Sequence, residues 1–83
     1  MATVIIAPAA QKEFEQLPLP IQARVLAIFA RLENWPNVSG WKALRGNLAR
    51  SYRIRTGDYR VVFSVTGDVV TVWKIGYRGS VYD

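Results

Sequence analysis

The sequence contains no cysteine and no histidine. The first absence excludes disulfides and thiolate metal ligands, and fits a reducing compartment. The second removes imidazole, the side chain that most readily moves protons near neutral pH. Long apolar runs are also missing. Nothing approaches the roughly 20 consecutive apolar residues of a membrane-spanning helix, and Met1-Ala2-Thr3-Val4-Ile5 lacks the basic start of a secretory leader. A cytoplasmic protein without a membrane partner is expected. Acidic residues are few and scattered. Asp58 and Asp68 fall in turn-like stretches, where Asp is a standard residue, and Glu13, Glu15 and Glu33 read as solvated helix positions. No metal-ligand spacing, glycine-rich phosphate loop or serine or cysteine nucleophile pattern is present, so no metal and no cofactor is expected.

What the chain does have is apolar residues and one-sided charge. Its 83 residues are 51% hydrophobic, which suits one domain spanning 1–83 with a modest core and a thin stability margin. The net charge is +5. Residues 1–41 are neutral, with Lys12, Arg24 and Arg31 offset by three glutamates. Residues 42–83 hold Lys42, Arg45, Arg50, Arg53, Arg55, Arg60, Lys74 and Arg78 against only Asp58, Asp68 and Asp83. The whole excess lies in the second half. Such asymmetry points to a polyanionic partner, most often nucleic acid.

Periodicity supplies the elements. Thr3-Val4-Ile5-Ile6-Ala7 is a short β-rich run that ends at Pro8, and proline suits the first turn of a helix. Ala10, Phe14 and Leu17 form one apolar stripe. Ile21, Val25, Ile28, Leu32 and Trp35 form a second and longer one, with Pro20 near its start and Pro36 after its end. Leu26 and Phe29 lie off that stripe, either as a groove for a partner's helix or strand or as part of a wider core. Asn37 to Ala49 reads as loop. From Ser51 the period becomes two, giving strands over 51–55, 59–65 and 69–75 separated by Thr56-Gly57-Asp58 and Thr66-Gly67-Asp68. The expected fold is α+β in the order β-α-α-β-β-β. Two antiparallel N-terminal helices cover one face of a small, mainly antiparallel four-stranded sheet.

Strand alternation then places the charge. Tyr52 and Ile54 point to one face, Arg53 and Arg55 to the other. A two-residue Gly57-Asp58 turn sets Arg55 opposite Arg60 and Val61 opposite Ile54. For the second hairpin, a two-residue turn would bring Lys74 opposite Val61 and bury an ammonium. A three-residue loop avoids this, pairing Val61 with Trp73 and Lys74 with Arg60. The expected result is Arg53, Arg55, Arg60, Lys74 and Arg78 on one face with few anions nearby. Like charges facing each other across strands destabilise a sheet, whereas guanidinium forks match phosphate oxygens. Tyr52, Tyr59 and Trp73 are expected on the core side. Tyr77 and Tyr82, beyond the last strand, are the expected aromatic ligand contacts.

The block Leu44-Arg45-Gly46, then Tyr52-Arg53-Ile54-Arg55-x-Gly57-Asp58-Tyr59-Arg60-Val61-Val62-Phe63, then Ile75-Gly76-Tyr77-Arg78-x-x-Val81-Tyr82 resembles the RelE/ParE toxin superfamily, with RelE-like mRNA interferases closest. The resemblance implies the toxin of a type II toxin–antitoxin pair, an endoribonuclease acting on mRNA in the ribosome. It implies a neutralising antitoxin as partner, acidic or with an extended or helical wrapping segment, and a toxin–antitoxin hetero-oligomer. Carried over by position, Arg55, Arg60, Arg78 and Tyr82 are the expected catalytic residues. Arg53, Lys74, Tyr77, Arg45, Arg50 and Lys42 are the expected RNA contacts. Some relatives have lysines in place of Arg53 and Arg55, and many have histidine in place of Tyr77. The proton-transferring group is therefore open among Tyr82, Tyr77 and Lys74. Two other readings stand beside this one, a ParE-like inhibitor of DNA gyrase and a non-catalytic module that binds antitoxin or RNA.

Overall fold

The computed structural model describes residues 1–44 and 51–77. Its elements follow the order β1 (Thr3–Ile6), α1 (Pro8–Glu15), α2 (Leu19–Leu32), β2 (Trp41–Ala43), β3 (Ser51–Thr56), β4 (Tyr59–Thr66) and β5 (Val69–Tyr77). The strands form a five-stranded sheet in the order β1-β5-β4-β3-β2. β1 runs parallel to β5 and the other pairings are antiparallel. The helical pair and the three long strands agree with the expected fold. The fifth strand is β2, three residues long, inside the stretch expected to be loop.

Proline places both helix starts. Pro8 lies in the first turn of α1 and Pro20 in that of α2, where a missing N–H removes no intrahelical bond. Val25, Ile28 and Leu32 form the buried stripe of α2, each contributing roughly 1.5–3 kcal/mol by leaving water. They pack on Ile54, Val61, Phe63, Val70, Val72 and Ile75 from the sheet. Fully buried Ala10 is the close-contact residue of α1. Phe29 belongs to the core and meets the Phe14 ring at 6.0 Å, whereas Leu26 is exposed. Trp35 lies just past α2 and closes the far end of the core. Its ring sits 4.9 Å from Tyr52, 5.4 Å from Phe63 and 5.3 Å from Trp41.

β5 outruns its parallel neighbour. β1 pairs with Val69 to Val72, and beyond that point α1 covers the edge of β5. The Ala7 N–H donates to the Val72 carbonyl at 2.9 Å. Further along, the Glu13 carboxylate accepts the Ile75 N–H at 2.9 Å and the Lys74 ammonium at 2.8 Å. Glu13 is thus no solvated helix position. It takes the place of the missing strand carbonyl, satisfying a backbone donor that the sheet leaves over.

The β4–β5 register corrects the expected one. The turn has two residues, with Thr66 opposite Val69, and the ladder runs regularly to Phe63 opposite Val72. There it slips, so that Val62 faces Lys74, Val61 faces Ile75 and Arg60 faces Gly76. Trp73 is the extra residue of a β-bulge. The shift that keeps Lys74 off the core therefore sits within the strand and not in the turn.

Candidate nucleic-acid interface

Both helices cover one face of the sheet, and the opposite face carries the cations. β3 supplies Arg53 and Arg55, on either side of the core residue Ile54. β4 supplies Arg60, directly opposite Arg55. The next row across the sheet reads Lys42 on β2, Arg53 on β3, Val62 on β4 and Lys74 on β5. Strands lie about 4.8 Å apart and alternate residues about 7 Å apart along a strand. The two rows therefore concentrate five positive side chains on a small area.

These cations differ in depth. Arg55 and Lys42 are exposed, while Arg53 and Arg60 retain only 8% and 4% of their accessible surface. A guanidinium does not lose its proton under physiological conditions. Arg53 and Arg60 therefore carry their positive charge in a buried setting, in contrast to the outward-looking array expected from alternation alone. Lys74 is also not clear of anions, because Glu13 pairs with it. With half-exposed partners this pair is a weak one, and its main effect is to hold the ammonium at the β5 edge.

The aromatic residues depart further from the expected placement. Tyr52 and Tyr59 lie on the helix side, as expected. Trp73 does not. It is 53% exposed, and its indole Nε1–H donates to the Ser64 hydroxyl at 2.7 Å. Ser64 alternates with buried Phe63 and so belongs to the cationic face. The bulge is the cause, since the extra residue brings Trp73 and Lys74 to the same side. Tyr77 ends β5 and does not lie beyond it. It faces Tyr59 on the helix side, with ring centroids 5.4 Å apart, and its hydroxyl is 3.4 Å from Asp58 Oδ2. This position separates it from the arginine rows. Arg45, Arg50, Arg78 and Tyr82 lie outside the described residues. Among the described residues no cluster of three acidic side chains could hold a metal ion, and no helix is long and apolar enough to cross a membrane.

A two-helix layer on a sheet whose other face carries arginine on adjacent strands defines a small α+β domain with one cationic sheet face. Comparisons with known proteins give its family. Residues 4–82 match the family model described as the ParE toxin of the type II toxin–antitoxin system parDE, and the chain belongs to that family. It is similar to Toxin RelE3 of Methanocaldococcus jannaschii, with 29% identity over 96% of this chain and 94% of the relative. Among solved structures it resembles the RelE–RelB complex of Pyrococcus horikoshii, with a TM-score of 0.74, 28% identity, and 96% and 98% of the two chains covered. It also shares its fold with a chain of the RelBE2 toxin–antitoxin complex of Mycobacterium tuberculosis, with a TM-score of 0.80, 24% identity, and 93% and 98% covered. The protein is a toxin of a type II toxin–antitoxin system, with RelE-like relatives.

Proposed function

We propose that this toxin is an mRNA endoribonuclease that acts on the ribosome in the cytoplasm and is held inactive by a cognate antitoxin. The observation that carries this reading is the direct cross-strand pairing of Arg55 with Arg60, next to the row containing Arg53. A sheet gains nothing from like charges set opposite one another, whereas a phosphodiester gains a clamp. The RelE–RelB likeness supports an antitoxin partner and a toxin–antitoxin hetero-oligomer.

Cleavage would proceed by attack of the ribose 2′-oxygen on the adjacent phosphorus. The O2′–P bond forms, the P–O5′ bond breaks, the 2′-OH proton leaves and the 5′-oxygen gains one. The products are a 2′,3′-cyclic phosphate and a 5′-hydroxyl. Exposed Arg55 holds the phosphate, and buried Arg60 and Arg53 offset from beneath the charge that grows on it. Arg78 stabilises the transition state, and Tyr82 orients or activates the 2′-OH, both roles resting on the sequence pattern.

The family model's ParE description favours a second reading, inhibition of DNA gyrase without RNA cleavage. Two assays separate them. Purified toxin is added to a translating extract and new 5′ ends on the message are mapped, and gyrase supercoiling is followed in parallel. Cuts within the open reading frame that fall at least about 100-fold in Arg55→Ala support the nuclease, by analogy with loss of one charge-stabilising donor. An intact message with blocked supercoiling would replace this reading by the second.

A further inference from the structure

We infer that Trp73 is a stacking platform for one unpaired nucleobase of the RNA whose phosphates lie on the arginine rows. The inference rests on the proposed RNA reading and adds to it the residue that holds a base. Three observations lead to it. Trp73 is the extra residue of the β5 bulge, so the ladder places it on the cationic face beside Lys74 and does not turn it toward the helices. Its surface is 53% open, although an indole is among the side chains that gain most from burial. Its N–H is already bound to Ser64 on the neighbouring strand.

That hydrogen bond determines how the ring can act. An indole bonded across to the next strand is pinned by its Nε1 edge between β5 and β4 while about half of its surface stays open. Its donor is occupied, so what it offers is a π-face held in a fixed direction. Every base has a complementary π-face, and stacking of this kind tolerates any sequence. Val62 lies in the row between Ser64 and Arg60 on β4. Ring and guanidinium are thus separated by about two strand rows, on the order of 10–14 Å. That is near enough for a single strand to lay a phosphate on Arg55, over buried Arg60, and a neighbouring base on Trp73. Charge decides between possible occupants, because among the described residues the ring is next to Lys74 and shares its face with Arg53, Arg55 and Arg60, not with an apolar groove. Of the apolar side chains on β1, β4 and β5 that share this face, Val62 is buried, Val69 half-buried and Ile5 exposed.

The test uses a 2′-O-methyl oligoribonucleotide, which the toxin cannot cut, and matched strands with one abasic site walked along them. Affinities are measured at low salt for the wild-type toxin, Trp73→Leu and Trp73→Phe. Wild-type toxin is expected to lose about tenfold in affinity at one abasic position, the weight of one stacked base. Trp73→Leu binds complete and abasic strands equally, Trp73→Phe keeps most of the difference, and the salt dependence is the same in all three, since no phosphate contact is touched. A positional difference as large in Trp73→Leu as in wild type overturns the inference, as does loss of antitoxin binding in Trp73→Leu with that difference intact. A wild-type toxin that binds no strand overturns the inference, and one that leaves the message uncut in the translating extract overturns the RNA reading, so the two failures are distinguishable.

Discussion

Glu13 of α1 accepts two hydrogen bonds from consecutive residues of β5, one from the Lys74 ammonium and one from the Ile75 backbone N–H. One carboxylate therefore joins the first helix to the last strand just where β1 stops. Of the two bonds the backbone one matters more, since an abandoned strand N–H has few alternatives, whereas the Lys74 ammonium can return to water.

Glu13→Ala should lower unfolding stability by about 1–3 kcal/mol, the range for losing a charged acceptor from a part-buried donor. Lys74→Met should cost less than about 1 kcal/mol, as for other part-exposed ion pairs. Urea denaturation midpoints for the two variants give the comparison, and equal losses would mean that the ion pair, not the amide, is the important half.

The pairing of Arg55 with Arg60 sets stability against function. Arg55→Gln removes one of two like charges and should stabilise the fold by about 0.2–1 kcal/mol. The same change should weaken RNA cleavage. The gain in melting temperature should shrink as salt is raised and the repulsion is screened. Thermal melts at two ionic strengths, run beside a cleavage assay, check both parts.

Gly57 opens the β3–β4 turn at φ +58°. A methyl group there would meet nothing closer than Arg24 Nη1 at 3.6 Å, an ordinary contact. The cost of Gly57→Ala is therefore conformational, about 1 kcal/mol. Gly57→Asn should recover much of it, because Asn tolerates left-handed backbone. Identical melting temperatures for the two variants would contradict this account.

Phe63 is fully buried between Tyr52 and Trp35. Phe63→Ala should cost about 3–5 kcal/mol, a large share of the stability of so small a domain. Phe63→Leu, which keeps most of the volume, should remain folded at room temperature by circular dichroism.

The sequence-to-structure relation is uneven, and the reasons are physical. The α2 stripe is legible because Val25, Ile28 and Leu32 repeat with the helix turn and nothing competes with them. The β3–β4 hairpin is legible because a two-residue turn fixes its register, which puts Arg55 opposite Arg60. β2 is not legible, since three residues between glycine-containing stretches are too few to display a period. Glu13 is not legible either, because its partner is a backbone N–H freed by the shortness of β1, and no side-chain pattern records that. The β4–β5 hairpin lies between these cases. The cost of burying Lys74 correctly demands a change of phase, but not its position. Placing the shift in the turn gives Lys74 the right face and the wrong neighbour, and it sends Trp73 to the wrong side. The buried residues Val70, Val72 and Ile75 carry the signal, a step of two followed by a step of three.

A strand with one residue more than its neighbour can surrender that residue and stay in step. Without Trp73, Val72 would still face Phe63 and Lys74 would still face Val62, with every later rung of β5 unmoved. The pairing of the sheet has no need of an indole there, so whatever keeps it must come from outside the ladder.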